Sequence, residues 1–232
     1  MRKSLFTDLK EYLQLLWVNL VVKKRDLVEF IKVAFHYYHN RDFFKIDSSL
    51  ILAYLFNNPY TISKNFLINK GEEDVYAYGE TPLTTLDYIS KECRLTAKDT
   101  VFELGCGRGR TSFWLHCFLG CKVVGIEYIP EFVEIAQEIK AKHAIKDVEF
   151  HCEDILKANF QRGTVFYLYG TSFEEAFIEQ LVAKFKALPS GIKIITISYP
   201  LNESESSDFE VMKRFQAEFT WGTADVYLQI KK

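Results

Sequence analysis

The sequence predicts an α/β fold: a mostly parallel sheet with crossover helices, closed by an antiparallel hairpin and preceded by a helical region. Three observations lead there. From about residue 96 onward, short apolar runs alternate with helix-length amphipathic segments, the pattern of repeated strand–helix–strand units. The run VFELGCGRGR, residues 101–110, sets an acid and three glycines at one strand–helix junction. No glycine precedes Gly71, and residues 1 to about 70 read as helical throughout.

The elements follow in order. Leu9, Leu13, Leu16, Trp17 and Leu20 recur at helical spacing, so the first segment reads as an amphipathic helix. A second runs from Asp26 to Tyr38. A third runs from Asp47 to Phe56, started by Asp47 and Ser48 as capping residues and ended by Asn57-Asn58-Pro59. This helical region, 1–70, is read as one unit and 71–232 as the α/β domain. Strands are expected at Thr100–Leu104, Lys122–Ile126, Val148–His151, Thr164–Tyr169 and Gly191–Ser198, with helices at Thr111–Leu119, Pro130–His143 and Phe173–Leu188. After the polar loop LNESESSD, Phe209–Thr220 and Ala224–Lys231 form a hairpin joined by Trp221-Gly222-Thr223.

The 232 residues are 48% hydrophobic and 16% aromatic, enough for a substantial core. A net charge of −2 gives no global field toward nucleic acid. Cys93, Cys106, Cys117, Cys121 and Cys152 contain no C-x-x-C pair, and the five histidines lack metal spacing, so reduced thiols and no metal are expected. The apolar run Tyr12–Val22 is about half a membrane span, and no cleavage site follows it. On these grounds the chain is expected in the cytoplasm, without a membrane partner unless the first helix lies at an interface. A histone substrate would place it in the nucleus or outside the cell.

The chemistry concentrates at strand ends. Glycines 105, 107 and 109 let a ligand approach the backbone, and the following helix start offers unpaired N–H groups. Glu103, at the end of the first strand, suits a cationic ammonium group and would repel a pyrophosphate. Glu127, after VVGI, is placed to accept from ribose hydroxyls, with Tyr128 beside it. Asp154, in HCEDIL, can accept from an adenine amino group while Ile155 packs on the ring. Tyr169, Phe173, Trp221 and Tyr227 could wall an acceptor channel, and the same aromatics could equally serve the core.

VFELGCGRGR, VVGIEY and HCEDIL together resemble the nucleoside-binding motifs of class I S-adenosylmethionine-dependent methyltransferases, whose Rossmann-like seven-stranded sheet ends in an antiparallel hairpin. Upstream, VYAYGETPLTTLDYI, residues 75–89, is similar to the cofactor-covering loop of the non-SET histone lysine methyltransferases, the disruptor-of-telomeric-silencing family. That resemblance implies S-adenosylmethionine as cofactor, contacted by Tyr78, Thr81, Glu103, Gly105, Gly107, Arg110, Glu127, Tyr128, Asp154 and Ile155. It puts a channel tyrosine at Tyr227, and Tyr169 and Phe173 near the acceptor. Where that family carries an asparagine-rich segment, this chain has Tyr169-Gly170-Thr171-Ser172-Phe173. The chain also resembles short mitochondrial-type protein lysine methyltransferases. A protein lysine is therefore the expected acceptor, with a small-molecule O- or N-methyltransferase and a catalytically degenerate cofactor binder as alternatives.

Overall fold

Five parallel strands and a two-stranded antiparallel ribbon make one sheet in the computed structural model, which describes residues 24–72, 74–75, 78–169, 173–201 and 208–232. The strands are β1 (Thr100–Leu104), β2 (Lys122–Glu127), β3 (Val148–Cys152), β4 (Val165–Leu168), β5 (Lys193–Ile197), β6 (Phe209–Phe219) and β7 (Gly222–Lys231). Their order is β3-β2-β1-β4-β5-β7-β6, parallel from β3 to β5, with β7 antiparallel to both β5 and β6. This is the Rossmann-like seven-stranded methyltransferase fold with its C-terminal antiparallel pair and a helical region in front.

The central strands are apolar on both faces, as strands covered by helices must be. One face packs under α4 (Leu83–Glu92), α5 (Arg110–Leu119) and α6 (Pro130–Lys142), with Phe113, Trp114 and Phe132 fully buried. The other packs under α7 (Glu175–Lys186) through Leu181 and Phe185. The helices α1 (24–37), α2 (Arg41–Ala53) and α3 (Pro59–Lys70) precede the sheet. Val33, Tyr37, Phe43, Ile46 and Leu50 join the same core as α5 and α6, so α1 and α2 share the apolar interior of the sheet domain.

Three boundaries differ from expectation. The helix expected at Asp47–Phe56 spans Arg41–Ala53 instead. Asn40 caps it, accepting from the backbone N–H groups of Asp42 and Phe43 at 3.1 Å each, and Asp47 lies in its buried interior. Asn57-Asn58-Pro59 ends one helix and also begins another: Asn58 caps α3, Pro59 takes its first turn, and Gly71 closes it at φ 76°. The last hairpin turns at Thr220-Trp221, with Gly222 and Thr223 already inside β7. The expected helix over residues 9–20 lies outside the described residues.

Candidate functional site

Every strand-end residue singled out from the sequence gathers at the carboxyl edge of the parallel strands, where β1 and β2 end beside the glycine-rich loop. Gly105 sits at φ 84°, where an L side chain is strained, and nothing stands within 4 Å of the place its Cβ would occupy. Gly105 stands two residues after Glu103 in the chain. Gly109, at φ 76°, leads into α5, and a Cβ there would come within 2.6 Å of Phe150, so this glycine serves the packing of loop against β3.

Among the described residues neither Glu103 nor Glu127 has an ion-pair partner, whereas Asp154 has the Lys157 ammonium at 3.8 Å. Glu103 is buried, accepts from the Ser112 hydroxyl, and is pushed up to about 8 by burial, helped by the neighbouring Glu80 and Glu127. Glu127 is buried too. Its Oε2 accepts from Gly107 N–H at 2.8 Å, and its Oε1 accepts from Tyr128 and Ile129 N–H at 2.8 and 3.0 Å. Burial raises its carboxyl above the ordinary range against those three donors. A carboxylate has about four acceptor positions, so one on Oε2 stays open. Asp154 follows β3, with Oδ1 accepting from Leu156 N–H at 2.8 Å, and Ile155 packs against the α7-side core. Tyr128 is half-exposed, its ring against Phe66 with the Lys70 ammonium 5.6 Å from its centre.

The Tyr-Gly-Glu-Thr stretch is locked onto the glycine loop. Arg108, in the middle of GCGRGR, donates to Glu80 through Nε at 2.5 Å and through Nη2 at 2.8 Å. Burial would raise the Glu80 carboxyl, but the Arg108 guanidinium holds it below its ordinary value. Tyr78 donates to the same carboxylate, and its ring would meet a Cβ on Gly107 at 3.1 Å. Thr81 pairs with Tyr167 of β4 at 2.5 Å in the interior. A second bidentate pair joins Arg110, at the start of α5, to the fully buried Asp47 of α2 at 2.6 and 2.7 Å, with Tyr38 donating to the same acid. Arg110, expected at the cofactor, is thus engaged by α2.

Sequence reasoning missed Glu80, Arg108 and Tyr54. Tyr54 packs between the Arg108 guanidinium and Phe132, and its buried hydroxyl has no partner among the described residues. An i,i+4 or strand-period pattern cannot show such a residue, because its neighbours come from β1–α5 and α6.

The aromatic candidates divide. Tyr169, just after β4, accepts at its hydroxyl from Trp221 Nε1 at 2.9 Å, and its ring packs on Phe219, which stacks on Trp221. Phe219 is the member that the sequence did not suggest. Phe173 stacks instead on Phe177 beside the α7-side core. Tyr227 pairs with Thr196 across β7 and β5, under the Arg214 guanidinium. Its strand neighbours Val226 and Leu228 belong to the core that Phe219 joins, so Tyr227 projects from the opposite face.

The chemistry of this edge fits S-adenosylmethionine. Its ammonium charge would meet Glu103, its ribose hydroxyls the open acceptor position of Glu127, Gly105 leaves room for close approach, and Tyr54 offers a hydroxyl without a partner among the described residues.

Comparison with known proteins agrees. The family described as "Methyltransferase domain" matches residues 95–205. The H3 lysine-79-specific histone-lysine N-methyltransferase of Dictyostelium discoideum is 24% identical over 135 residues, covering 52% of this chain. The chain spans 7% of the length of that curated relative. An RNA methyltransferase from Salinibacter ruber, solved with S-adenosyl-L-homocysteine, superposes with a TM-score of 0.55 at 21% identity, over 66% of this chain and 94% of that one. The [4+2]-cyclase SpnF gives 0.53 at 11% identity, over 64% and 80%. Residues 95–205 thus match a methyltransferase domain, on a fold shared with S-adenosylmethionine-dependent methyltransferases, and S-adenosylmethionine is the cofactor consistent with that fold and this acid set.

Proposed function

We propose that the protein transfers a methyl group from S-adenosylmethionine to a lysine amine of a protein substrate. The observation that carries the cofactor half is the buried Glu103 carboxyl, without an ion-pair partner among the described residues, two positions before Gly105, whose Cβ side is open. In this reading Glu103 holds the ammonium group of the cofactor and Glu127 offers its open acceptor position to the ribose. Asp154 and Ile155 take the adenine. Tyr78, Thr81, Gly105, Gly107 and Tyr128 complete the surroundings, with Arg110 held away by Asp47. When bound, the cofactor supplies an electrophilic methyl on a sulfonium.

The chain's own part is to bind, orient and dry the amine. Tyr169, with Phe219 and Trp221, forms an aromatic wall on the sheet face that carries the Tyr-Gly-Glu-Thr loop. Such walls desolvate an ammonium, which lowers its pKa and frees the lone pair for attack. They then hold it in line, a matter of orientation rather than of a dedicated base. Phe173 and Tyr227 are the remaining acceptor-side candidates. The lysine acceptor is supported by the Tyr-Gly-Glu-Thr likeness and by the similarity to the Dictyostelium histone-lysine N-methyltransferase. Residues 71–232 form the catalytic domain, with the upstream helices buttressing its cofactor end.

Calorimetry with S-adenosylmethionine tests the first half, and absence of heat at millimolar cofactor refutes it. Tritiated-methyl transfer onto histones, cell protein and a small-molecule extract tests the second. Label on protein lysine supports the proposal, and label confined to the small-molecule fraction replaces it with the small-molecule reading.

A further inference from the structure

We propose that Lys184 of α7 is a positioning residue that sets the adenine preference of the cofactor site, by fixing the turn that carries Asp154. Its role rests on the cofactor reading, in which Asp154 takes the adenine. The turn follows β3. The N–H groups of Lys157 and Ala158 donate to the Asp154 carbonyl at 2.9 and 3.1 Å, and the Leu156 N–H donates to Asp154 Oδ1 at 2.8 Å. The aspartate thus caps its own turn. Ala158 is buried, and buried carbonyls need partners. Lys184 supplies them: its ammonium donates to the Leu156 oxygen at 2.8 Å and to the Ala158 oxygen at 2.7 Å. Acid and ammonium therefore meet at one residue. Leu156 holds the Asp154 carboxylate by its N–H and is itself held by its carbonyl.

A lysine in the last turn of a helix ordinarily leaves its ammonium near water, as Lys186 does beside the half-exposed Asp208. Lys184 is instead partly buried, its ammonium 4.6 Å from the centre of the Phe160 ring. Phe160 stacks on Phe185, the buried neighbour of Lys184 in α7. Two carbonyls and a ring face offset the water that the charge gives up. The second oxygen of Asp154, Oδ2, has the Lys157 ammonium at 3.8 Å, beyond hydrogen-bond length, and that lysine lies largely in water. Oδ2 is left for a donor from outside. Adenine presents an exocyclic amine, whereas hypoxanthine has a carbonyl oxygen at that place, which a carboxylate repels. Telling the two apart requires an oxygen held at a fixed distance, and the grip of Lys184 on the turn provides it.

Calorimetry on the full chain compares S-adenosylhomocysteine with its inosine analogue. The parent should prefer the adenine ligand about 10- to 100-fold, the range for a lost hydrogen bond to a charged group. Lys184→Met keeps most of the stem and removes the donors, and should bring the preference below about threefold. Lys184→Arg, whose fork can also serve two carbonyls, should restore most of it. Lys186→Met, two positions on, should keep the parent's value. Hydrogen exchange on the ligand-free protein gives a reading without cofactor. In Lys184→Met the amides of Leu156, Lys157 and Ala158 should exchange at least about tenfold faster, with the α7 amides unmoved. A lysine that merely steadied α7 would move the α7 amides instead. The proposal is overturned if Lys184→Met keeps the parent's preference, or if the three turn amides exchange as before. It is overturned as well if the parent binds both ligands equally, an outcome that leaves cofactor binding standing. Binding of neither ligand removes the cofactor reading, and the role of Lys184 with it.

Discussion

At the carboxyl edge of the sheet, the β1–β2 end is held by charges and the β4–β7 end by rings. Around the glycine loop, two arginines are gripped bidentately by acids from upstream segments, and Glu127 takes three backbone donors on its own carboxylate. Among the described residues Tyr169 has one side-chain hydrogen bond, to a half-exposed Trp221, and its ring packs on Phe219, which stacks on Trp221. Charge pairs of fixed geometry define one arrangement of the loop, whereas stacked rings can shift against each other at little cost. A binder of one invariant cofactor needs the first kind of construction. A site that admits a chemically variable acceptor tolerates the second.

Asp47→Ala breaks the comparison most severely. It leaves the Arg110 charge largely buried without its partner, which costs about 3–5 kcal/mol. That is a large share of the total stability of an ordinary domain. Urea unfolding should show the midpoint fall accordingly, and an unchanged midpoint would mean that Arg110 finds another acceptor. Arg108→Ala comes next, at about 2–3 kcal/mol, because Glu80 keeps a quarter of its side chain accessible to water. It should also weaken S-adenosylmethionine binding, since the Glu80 carboxylate that holds the Tyr78 ring over Gly107 loses the guanidinium that fixes it. Arg108→Lys should recover only part of either effect, because an ammonium cannot reproduce the two-pronged contact.

Glu103 sharpens the same end by pH. Its folded carboxyl sits at about 8 against an ordinary 4.5, raised by burial. A raised acid contributes stability that is fully present below the unfolded value and is lost as pH rises through the folded one. Between pH 4.5 and 8 the ligand-free protein should therefore lose stability from this group, with a slope of at most about 1.4 kcal/mol per pH unit. Glu103→Gln removes that slope and should be the more stable protein at pH 8. The same variant should bind S-adenosylmethionine about 1–3 kcal/mol more weakly there, having lost a charged acceptor. Affinity of the parent should rise with pH up to about 8, with a proton released on binding. Calorimetry in buffers of different ionisation enthalpy measures that proton, and its absence would show Glu103 already ionised.

The glycine-loop end was legible because its signals are local. An acid closing an apolar run, followed by glycines and a helix, is a pattern within ten residues, and Glu103, Glu127 and Asp154 all stand where it put them. Asp47 was misread for the same reason: Asp-Ser ahead of an apolar run is what a helix start looks like, and only Arg110, sixty-three positions away, makes it an interior acid. The helix α3 was hidden because Asn58-Pro59 stops one helix and caps the next in the same two residues. The aromatic wall was legible as composition and illegible as geometry. Tyr169 and Trp221 are fifty-two positions apart, and which rings meet is decided by where β7 reverses beside β5.

The smallest expected effect on stability therefore belongs to the aromatic end, and it separates the two ends most sharply. Tyr169→Phe deletes the hydroxyl that accepts from Trp221 and leaves the ring on Phe219, a loss of about 0.5–1.5 kcal/mol at most. Neither the urea midpoint nor the affinity for S-adenosylmethionine should move beyond that. Trp221→Ala, at a half-exposed ring, should behave likewise in both assays. If the wall orients the acceptor, both variants lower the rate of methyl transfer at saturating cofactor while the cofactor KM holds. Phe173→Ala and Tyr227→Phe, on the other face of the sheet, then leave the rate nearly unchanged. A rate that falls with Tyr227→Phe and not with Tyr169→Phe would move the acceptor channel to the α7 side of β4 and leave the Tyr169 cluster as packing alone.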